Sequence, residues 1–383
     1  MLRVDRSQVL AFRLAAHNLI QRLPHRRLVE AARPVGVQDS RVESAALALA
    51  ARVDGVDAAD VAKDRTQTKA LLTVWAMRGA LCVIGPKDAA VFTIGALPTD
   101  RESFTTFLGG WAAPIAAAAL SPFDLLDQMA RAGAQLLDGR HLPVDDLRNA
   151  IYDRVPALHR LERPRGARAD MPEALFRALG LTGTVCITAG EGTNAMIGRT
   201  DQWLGVIPPT MEPRRARAEL ARRFLRGYGP APASAFAEWT GRSRRDAREA
   251  FALVADELVE VDAGGTTAWV LDADLEALRF PPLPGGVRLL PPLDPFLQQR
   301  DRATLVPDPA ARKHVWRPVG PPGVVIADGQ AVGTWRGQRK GGRLEITVEA
   351  FASLADRTRK EIAGEADLVA TARSCRDAVV TFC

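Results

Sequence analysis

The chain has 383 residues, 47% hydrophobic and 25% charged, which suits three or four compact units with full cores and sets aside disorder as the default. Its longest apolar runs, such as 115–120 and 71–76, fall far short of the about 18 residues a membrane span needs, and no continuous apolar h-region precedes a small-residue cleavage site near the N-terminus, so neither a span nor a signal peptide is expected. The net charge of +6 is compatible with a polyanionic partner.

In chain order, residues 6–22 carry Val9, Leu10, Phe12, Leu14, Ala15, Leu19 and Ile20 at helical spacing. A turn over 36–40 precedes a helix predicted over 42–53, with Ser40 or Asp39 as its cap and Glu43, three residues beyond Ser40, completing a capping-box pattern. One or two helices over 57–77, a strand over 81–84 and a helix over 87–96 follow. Gly109, Gly110 and Pro114 make 97–120 read as irregular. Ser121 and Pro122 then open a helix to residue 137. Helices over 145–154 and 172–179 come next, then a hairpin of 183–188 with 195–198. The basic run His159, Arg160, Arg163, Arg165 and Arg168, broken by Pro164 and Gly166, is either a solvated loop or a phosphate-contacting one.

The clearest pattern spans 212–280: helices over 214–228, 232–239 and 244–256, a tight turn at Thr240-Gly241, and a hairpin of 258–261 with 268–271. This is the winged helix-turn-helix order, in which the second helix of the turn pair enters a DNA groove. Arg242, Arg244 and Arg245 at its start are placed to meet phosphates, while Ala247, Phe251 and Val254 face the core. Beyond the Pro- and Gly-rich stretch 281–286 come short strands over 287–290, 324–327, 331–335 and 344–348, a hairpin signal at Asp328-Gly329, and a basic turn from Arg336 to Arg343. A long helix from Phe351 and an apolar strand over 378–382 complete a small β-barrel or a sheet closed by one helix. The predicted fold class is α+β: tandem winged helix-turn-helix units over 1–120, 121–208 and 209–283, with a C-terminal β-barrel-like domain over 284–383.

Of the 51 basic residues six are lysine and 45 arginine. Arginine grips phosphate as a fork and enters narrow grooves, but a GC-rich genome enriches Arg and Ala together, so this bias decides little. The four cysteines (82, 186, 375, 383) lack CxxC spacing and the five histidines (17, 25, 141, 159, 314) form no HxH or HExxH pattern, so no disulfide framework, metal or cofactor is expected.

Several separated segments together resemble the AlkZ/YcaQ-like family of winged-helix DNA glycosylases. Gly36-Val37-Gln38-Asp39-Ser40 followed by Leu47-Ala48-Leu49-Ala50-Ala51-Arg52-Val53 is similar to that family's GLQxQ turn and LALWAR-type helix. Arg78-Gly79-Ala80-Leu81 resembles its RGTLH strand, with Cys82 where His is usual. Tyr228-Gly229-Pro230 with Trp239-Thr240-Gly241 resembles its YGP…WSG helix-turn-helix. Leu289 to Phe296 (LLPPLDPF) with Arg300-Asp301-Arg302 resembles its LLPxFDxxxxxRxR segment, and Asp328-Gly329 with Gly333-Thr334-Trp335-Arg336 its DGxxxGxW hairpin.

The resemblance implies three tandem winged-helix units forming a concave surface for duplex DNA, and a monofunctional glycosylase that excises N-alkylated purines. Some members unhook crosslinks or bulky adducts, and some in antibiotic-producing bacteria confer self-resistance. Its chemistry asks for little: a purine alkylated at N7 or N3 already carries positive charge, so it leaves without a strong general acid. The protein has to position water and stabilise the developing sugar cation.

The family uses a Gln-x-Gln or Gln-x-Asp pair for this. Here Gln38 keeps the first position, Ser40 replaces the second, and Asp39 supplies the neighbouring carboxylate. Asp39 or Ser40 can instead cap the following helix. The catalytic candidates are Gln38, Asp39 and Ser40. The DNA-contacting candidates are Arg78, Arg163, Arg165, Arg242, Arg244, Arg245, Arg300, Arg302, Arg336, Arg339 and Lys340. Cys82 reads as a small apolar strand residue, not a nucleophile. The expected partner is double-stranded DNA, with no membrane and no metal, for a monomeric cytoplasmic, nucleoid-associated protein. The Ser40 and Cys82 departures keep open a non-catalytic winged-helix DNA-binding protein, a lesion shield or transcription factor.

Overall fold

The computed structural model describes residues 1–39, 43–162, 172–190, 194–206 and 210–383. The chain divides into two compact units, one built from residues 1–64, 222–235 and 256–383, the other from 65–221 and 236–255.

The first unit opens on a strand that sequence alone did not indicate. Leu2–Val4 runs parallel to Leu258–Ala263, which pairs antiparallel with Thr266–Leu271. Three residues are too few to show period-2 alternation, so the strand exists through its partner. Asp5 then caps the helix Arg6–Ala16 in a reciprocal box: its carboxylate accepts from Gln8 N at 2.9 Å, and Gln8 Oε1 accepts from Asp5 N at 3.0 Å. The helix stops short of the predicted residue 22, since Asn18 adopts a left-handed φ of 55°. Val4, Val9 and Phe12 pack on Val261, Ala268 and Val270, while Leu10 and Leu14 join a separate core with Phe296 and Val324.

The C-terminal part of this unit is a five-stranded sheet in the order Val287–Leu290, Gly323–Ala327, Gln330–Lys340, Arg343–Ala350, Ala378–Phe382. It stays open, with the first and last strands at its two edges, which corrects the expectation of a barrel. The helix Asp356–Ala372 covers one face, burying Ile362, Ala366 and Val369 against Val287, Leu289, Trp335, Ile346 and Val348. Leu344, Ile346 and Val348 are buried while Arg343, Glu345, Thr347 and Glu349 are exposed, the alternation of a sheet with one solvated face. Asp328 and Gly329 turn with φ of 44° and 79°, as a two-residue hairpin requires. The stretch read as a basic turn is mostly strand. Gly341 and Gly342, at φ 56° and 80°, make the reversal, so Arg336 to Lys340 remain extended.

In the second unit a five-strand order of Leu81–Ile84, Leu72–Trp75, Val185–Ala189, Met196–Arg199 and Leu142–Pro143 is antiparallel throughout. Its core gathers Met129, Leu136, Ile151, Phe176 and Leu179 from the helices Pro122–Leu136, Val144–Arg154 and Glu173–Leu181. The region expected to be irregular holds two helices, Arg101–Leu108 and Ala112–Ala117. Gly109-Gly110 separates them, Asp100 caps the first by accepting from Ser103 N at 2.6 Å, and Pro114 lies in the first turn of the second, where its missing N–H costs nothing. The helix Arg244–Ala252, shorter than predicted, follows Ala233–Thr240 across a turn at Gly241. Gly241 has φ of +75°, and a Cβ there would lie 2.8 Å from Cγ of Arg78. Both facts require glycine.

Candidate functional site

Gln38 ends the short strand Val37–Gln38 in the first unit, directly before the helix Ser44–Ala50. That helix is fixed by its apolar residues: Ala45, Ala46, Ala48 and Leu49 are buried, and Leu47 enters the core under the C-terminal sheet. Asp39 is buried, and its Oδ1 accepts from Ala45 N at 3.4 Å, in the first turn. Ser44 Oγ donates to the Gln38 carbonyl at 3.3 Å. The Asp39 carboxylate thus faces the first turn of the helix, where the helix dipole favours negative charge. Ser40 lies outside the described residues. The predicted box through Glu43 is corrected: Glu43 precedes the helix with φ of 65°, and its side chain turns to two arginines instead.

The Gln38 side chain is held from the segment Pro291–Asp301. Gln298 donates Nε2–H to Gln38 Oε1 at 2.9 Å and to the Leu293 carbonyl at 3.3 Å. Two buried arginines fix this segment. Arg52 forms a two-pronged pair with Asp294, at 2.8 and 2.7 Å, and donates to Ala48 O at 2.7 Å. Both side chains are almost completely excluded from solvent, at 1% and 0% exposure. Arg13 donates to Gln299 Oε1 at 2.7 Å, to Asp301 at 2.8 Å and to the carbonyls of Gly229 and Pro230. Tyr228 adds its hydroxyl to Pro295 O at 2.7 Å. His17, also buried, donates Nε2–H to Gly227 O at 3.1 Å. Burial first, and then the nearby Arg52 charge, hold its imidazole well below the usual pKa, so it stays neutral.

Arg339 and Arg373 converge on Glu43, at 2.9 and 3.4 Å, with Arg339 also donating to the Arg373 carbonyl at 2.5 Å. The other basic candidates of this unit are Arg300, Arg302, Arg336 and Lys340. Arg336 is exposed and donates to Gly320 O, Lys340 pairs with Glu345 at 3.4 Å, and Arg302 lies 5.1 Å from the ring centre of Trp316. Arg300 is half-buried.

In the second unit Arg244 and Arg245 are exposed at the start of their helix, Arg245 paired with Glu249 at 3.1 Å. Arg242 corrects the prediction. Its side chain is buried, donating to the carbonyls of Gly95 and Leu97 at 2.6 Å and lying 3.4 Å from Asp246. Desolvation pushes its pKa down to about 10. It closes the core under the turn and does not present its charge to solvent. Arg78, with φ of 57°, donates to the Trp239 carbonyl. Cys82 is a buried residue of the strand Leu81–Ile84. Arg163 and Arg165 lie outside the described residues.

Among the described residues no group of three or more His, Cys, Asp or Glu is placed to hold a metal ion, and no single helix is long and apolar enough to cross a membrane.

Residues 31–372 match the family model for "DNA glycosylase AlkZ-like". The chain belongs to the AlkZ-like DNA glycosylase family. The interstrand DNA cross-link repair glycosylase of Streptomyces sahachiroi is 27% identical over 340 residues, 86% of each chain. The solved structure of Streptomyces sahachiroi DNA glycosylase AlkZ matches over 100% of both chains, with a TM-score of 0.79 and 25% identity. The AlkZ-like chain is thus a DNA glycosylase. Several of its family-like segments are partners in space within their units: Arg52 of the LALAAR helix with Asp294, Arg78 with the Trp239-Thr240-Gly241 turn, and Asp301 with Arg13 beside Gly229-Pro230. Glu43 and Arg373 carry no sequence signal that marks them as neighbours of the site. Gln298 had one signal, its place between Phe296 and Arg300 in the LLPPLDPF…RDR segment.

Proposed function

We propose that this glycosylase hydrolyses the C1′–N bond of N7- or N3-alkylated purines in duplex DNA, including crosslinked or bulky adducts, and that Gln38 is the group at the reacting centre. The observation that carries this is the fixed Gln38 amide. It is anchored through Gln298 to a segment that two buried arginines hold in place, so its orientation is set before DNA arrives. Such prior ordering is what a water-positioning group needs. The name of the crosslink-repair relative supports the substrate class.

In the proposed step the glycosidic bond breaks with its electron pair leaving on the alkylated base, which loses its positive charge. Water oxygen bonds to C1′ and the water proton passes to solvent. The Gln38 amide orients that water and its carbonyl dipole favours the sugar cation, while Asp39 keeps the helix start in place. The order helix, helix, turn, helix, hairpin over 209–283 supports reading that stretch as a winged helix, with Arg244 and Arg245 on phosphates. A role in self-resistance to a DNA-alkylating natural product fits the same chemistry.

The test is release of base from duplexes carrying N7-methylguanine, a mustard crosslink or a bulky N7 adduct, read by mass spectrometry and by strand cleavage at the abasic site with hot alkali. Release from at least one, with none from the undamaged duplex, is expected. No release from any of them would overturn the substrate class.

A further inference from the structure

Glu43 combines three properties that a cap or a simple surface ion pair does not need. Its backbone is left-handed, with φ of 65° in a residue that is not glycine, a conformation that persists only where the surroundings impose it. Its two carboxylate oxygens are used separately, Oε1 by Arg339 and Oε2 by Arg373. And the cluster is partly open to solvent, with Arg339 52%, Glu43 29% and Arg373 21% exposed.

Each arginine has a second hold on its own side. Arg339 donates to Arg373 O, and Arg373 donates to Gly337 O at 3.3 Å, so each guanidinium group has one hold besides Glu43. Two guanidinium groups bridged by one half-buried, two-oxygen anion make the arrangement that a DNA phosphate would complete. The Arg339–Glu43 arm, the more exposed of the two, is weak enough to be exchanged. Glu43 lies five residues after Gln38, at the start of the helix whose Ala45 N–H points to Asp39.

We propose that Glu43 is a phosphate placeholder: it holds Arg339 and Arg373 in the arrangement that grips the DNA backbone, and duplex DNA displaces it. The displacement frees the left-handed residue to relax, so that gripping the backbone and setting the start of the Ser44–Ala50 helix, which follows Gln38, are one event. This rests on the reading that Arg339 meets DNA, and the experiment separates the two.

Affinity for an undamaged duplex is measured with the full chain at several salt concentrations, for wild type, Glu43→Gln, Arg339→Ala/Arg373→Ala, and the triple variant. Glu43→Gln is expected to bind about two- to fivefold more tightly, the worth of an exposed ion pair no longer to be broken. The arginine double variant should bind more weakly and flatten the slope of log K against log salt by about 2. In that background the gain from Glu43→Gln should vanish. Glu43→Gly, which fits the positive φ, repeats the test should Glu43→Gln fold poorly by circular dichroism.

Weaker binding by both Glu43 variants would make Glu43 a structural clamp and overturn the proposal. A gain that persists without the arginines would reduce it to a general charge effect and overturn it as well. An unchanged slope in the arginine double variant would remove Arg339 and Arg373 from the DNA interface, and the placeholder with them.

Discussion

Asp294→Asn should be among the most destabilising single substitutions in the first unit. Asp294 is fully buried, and both of its oxygens are engaged by Arg52, with Oδ1 also accepting from Phe296 N at 2.8 Å. The amide keeps the shape and removes the charge, leaving the buried Arg52 guanidinium uncompensated beside the Ala48 carbonyl. Removing one member of a buried ion pair typically costs about 3–5 kcal/mol, a large share of the about 5–15 kcal/mol that holds a domain together. Urea unfolding followed by tryptophan fluorescence should show the loss as a lower midpoint with little change in slope. Arg52→Met with Asp294→Leu replaces the pair by apolar groups and should recover most of the stability, because the loss arises from the stranded charge. The reasoning is refuted if Asp294→Asn costs less than about 1 kcal/mol, or if the double variant is as unstable as the two single losses added together. Below its melting range Asp294→Asn should also release base more slowly than wild type, since Gln298 stands on the same segment.

Gln38→Ala should slow single-turnover base release by about 10²- to 10³-fold while leaving duplex affinity near wild type, and Gln298→Ala should cost between about 10- and 100-fold. Equal activity in Gln38→Ala would remove that residue from the mechanism. Arg244→Ala and Arg245→Ala should each lower the salt slope of DNA binding by about 1 with the fold intact, whereas Arg242→Met should lower stability and leave the slope unchanged. A stable Arg242→Met protein with a reduced slope would contradict its burial. His17 makes stability fall in acid: its folded pKa is depressed below the ordinary 6.5, so below about pH 6.5 the unfolded chain takes up a proton that the folded chain refuses. Stability should be lost as pH drops from about 6.5 toward the folded pKa, and the decline should be shallower in His17→Gln, measured by chemical denaturation across that range.

Much of the chain was legible because strong periodicity and turn chemistry agreed: Pro122–Leu136, Pro213–Tyr228, Val287–Leu290 and the Asp328-Gly329 turn appear close to where the residues place them. What was not legible depended on partners distant in sequence. Leu2–Val4 is a strand only because Leu258–Ala263 lies beside it, and the open sheet could be read as a barrel because edge pairing leaves no mark in a single strand. The site shows the same division. Gln38 could be singled out by its motif, but nothing in the sequence separates Arg242, facing carbonyls in the core, from Arg244 two residues on, facing solvent. Ridges of arginine read alike until the packing of the turn decides which one is swallowed. Asp39 could cap or catalyse on sequence alone, and its Oδ1 lies 3.4 Å from Ala45 N in the first turn of the following helix.

The pairing of Leu2 with Val261 also has a consequence for how the protein is made. Roughly 260 residues separate the two, and a ribosome adding about 5–20 residues per second takes between roughly 13 and 50 seconds to deliver the second after the first. Through that interval Val9 and Phe12 of the emerging chain have no permanent cover, because Val261, Ala268 and Val270 do not yet exist. The unit of residues 65–221 and 236–255, in contrast, has all its segments synthesised before residue 256. The nascent glycosylase therefore carries a finished half alongside a waiting one, and its soluble yield should depend on chaperones that shield the first helix during translation.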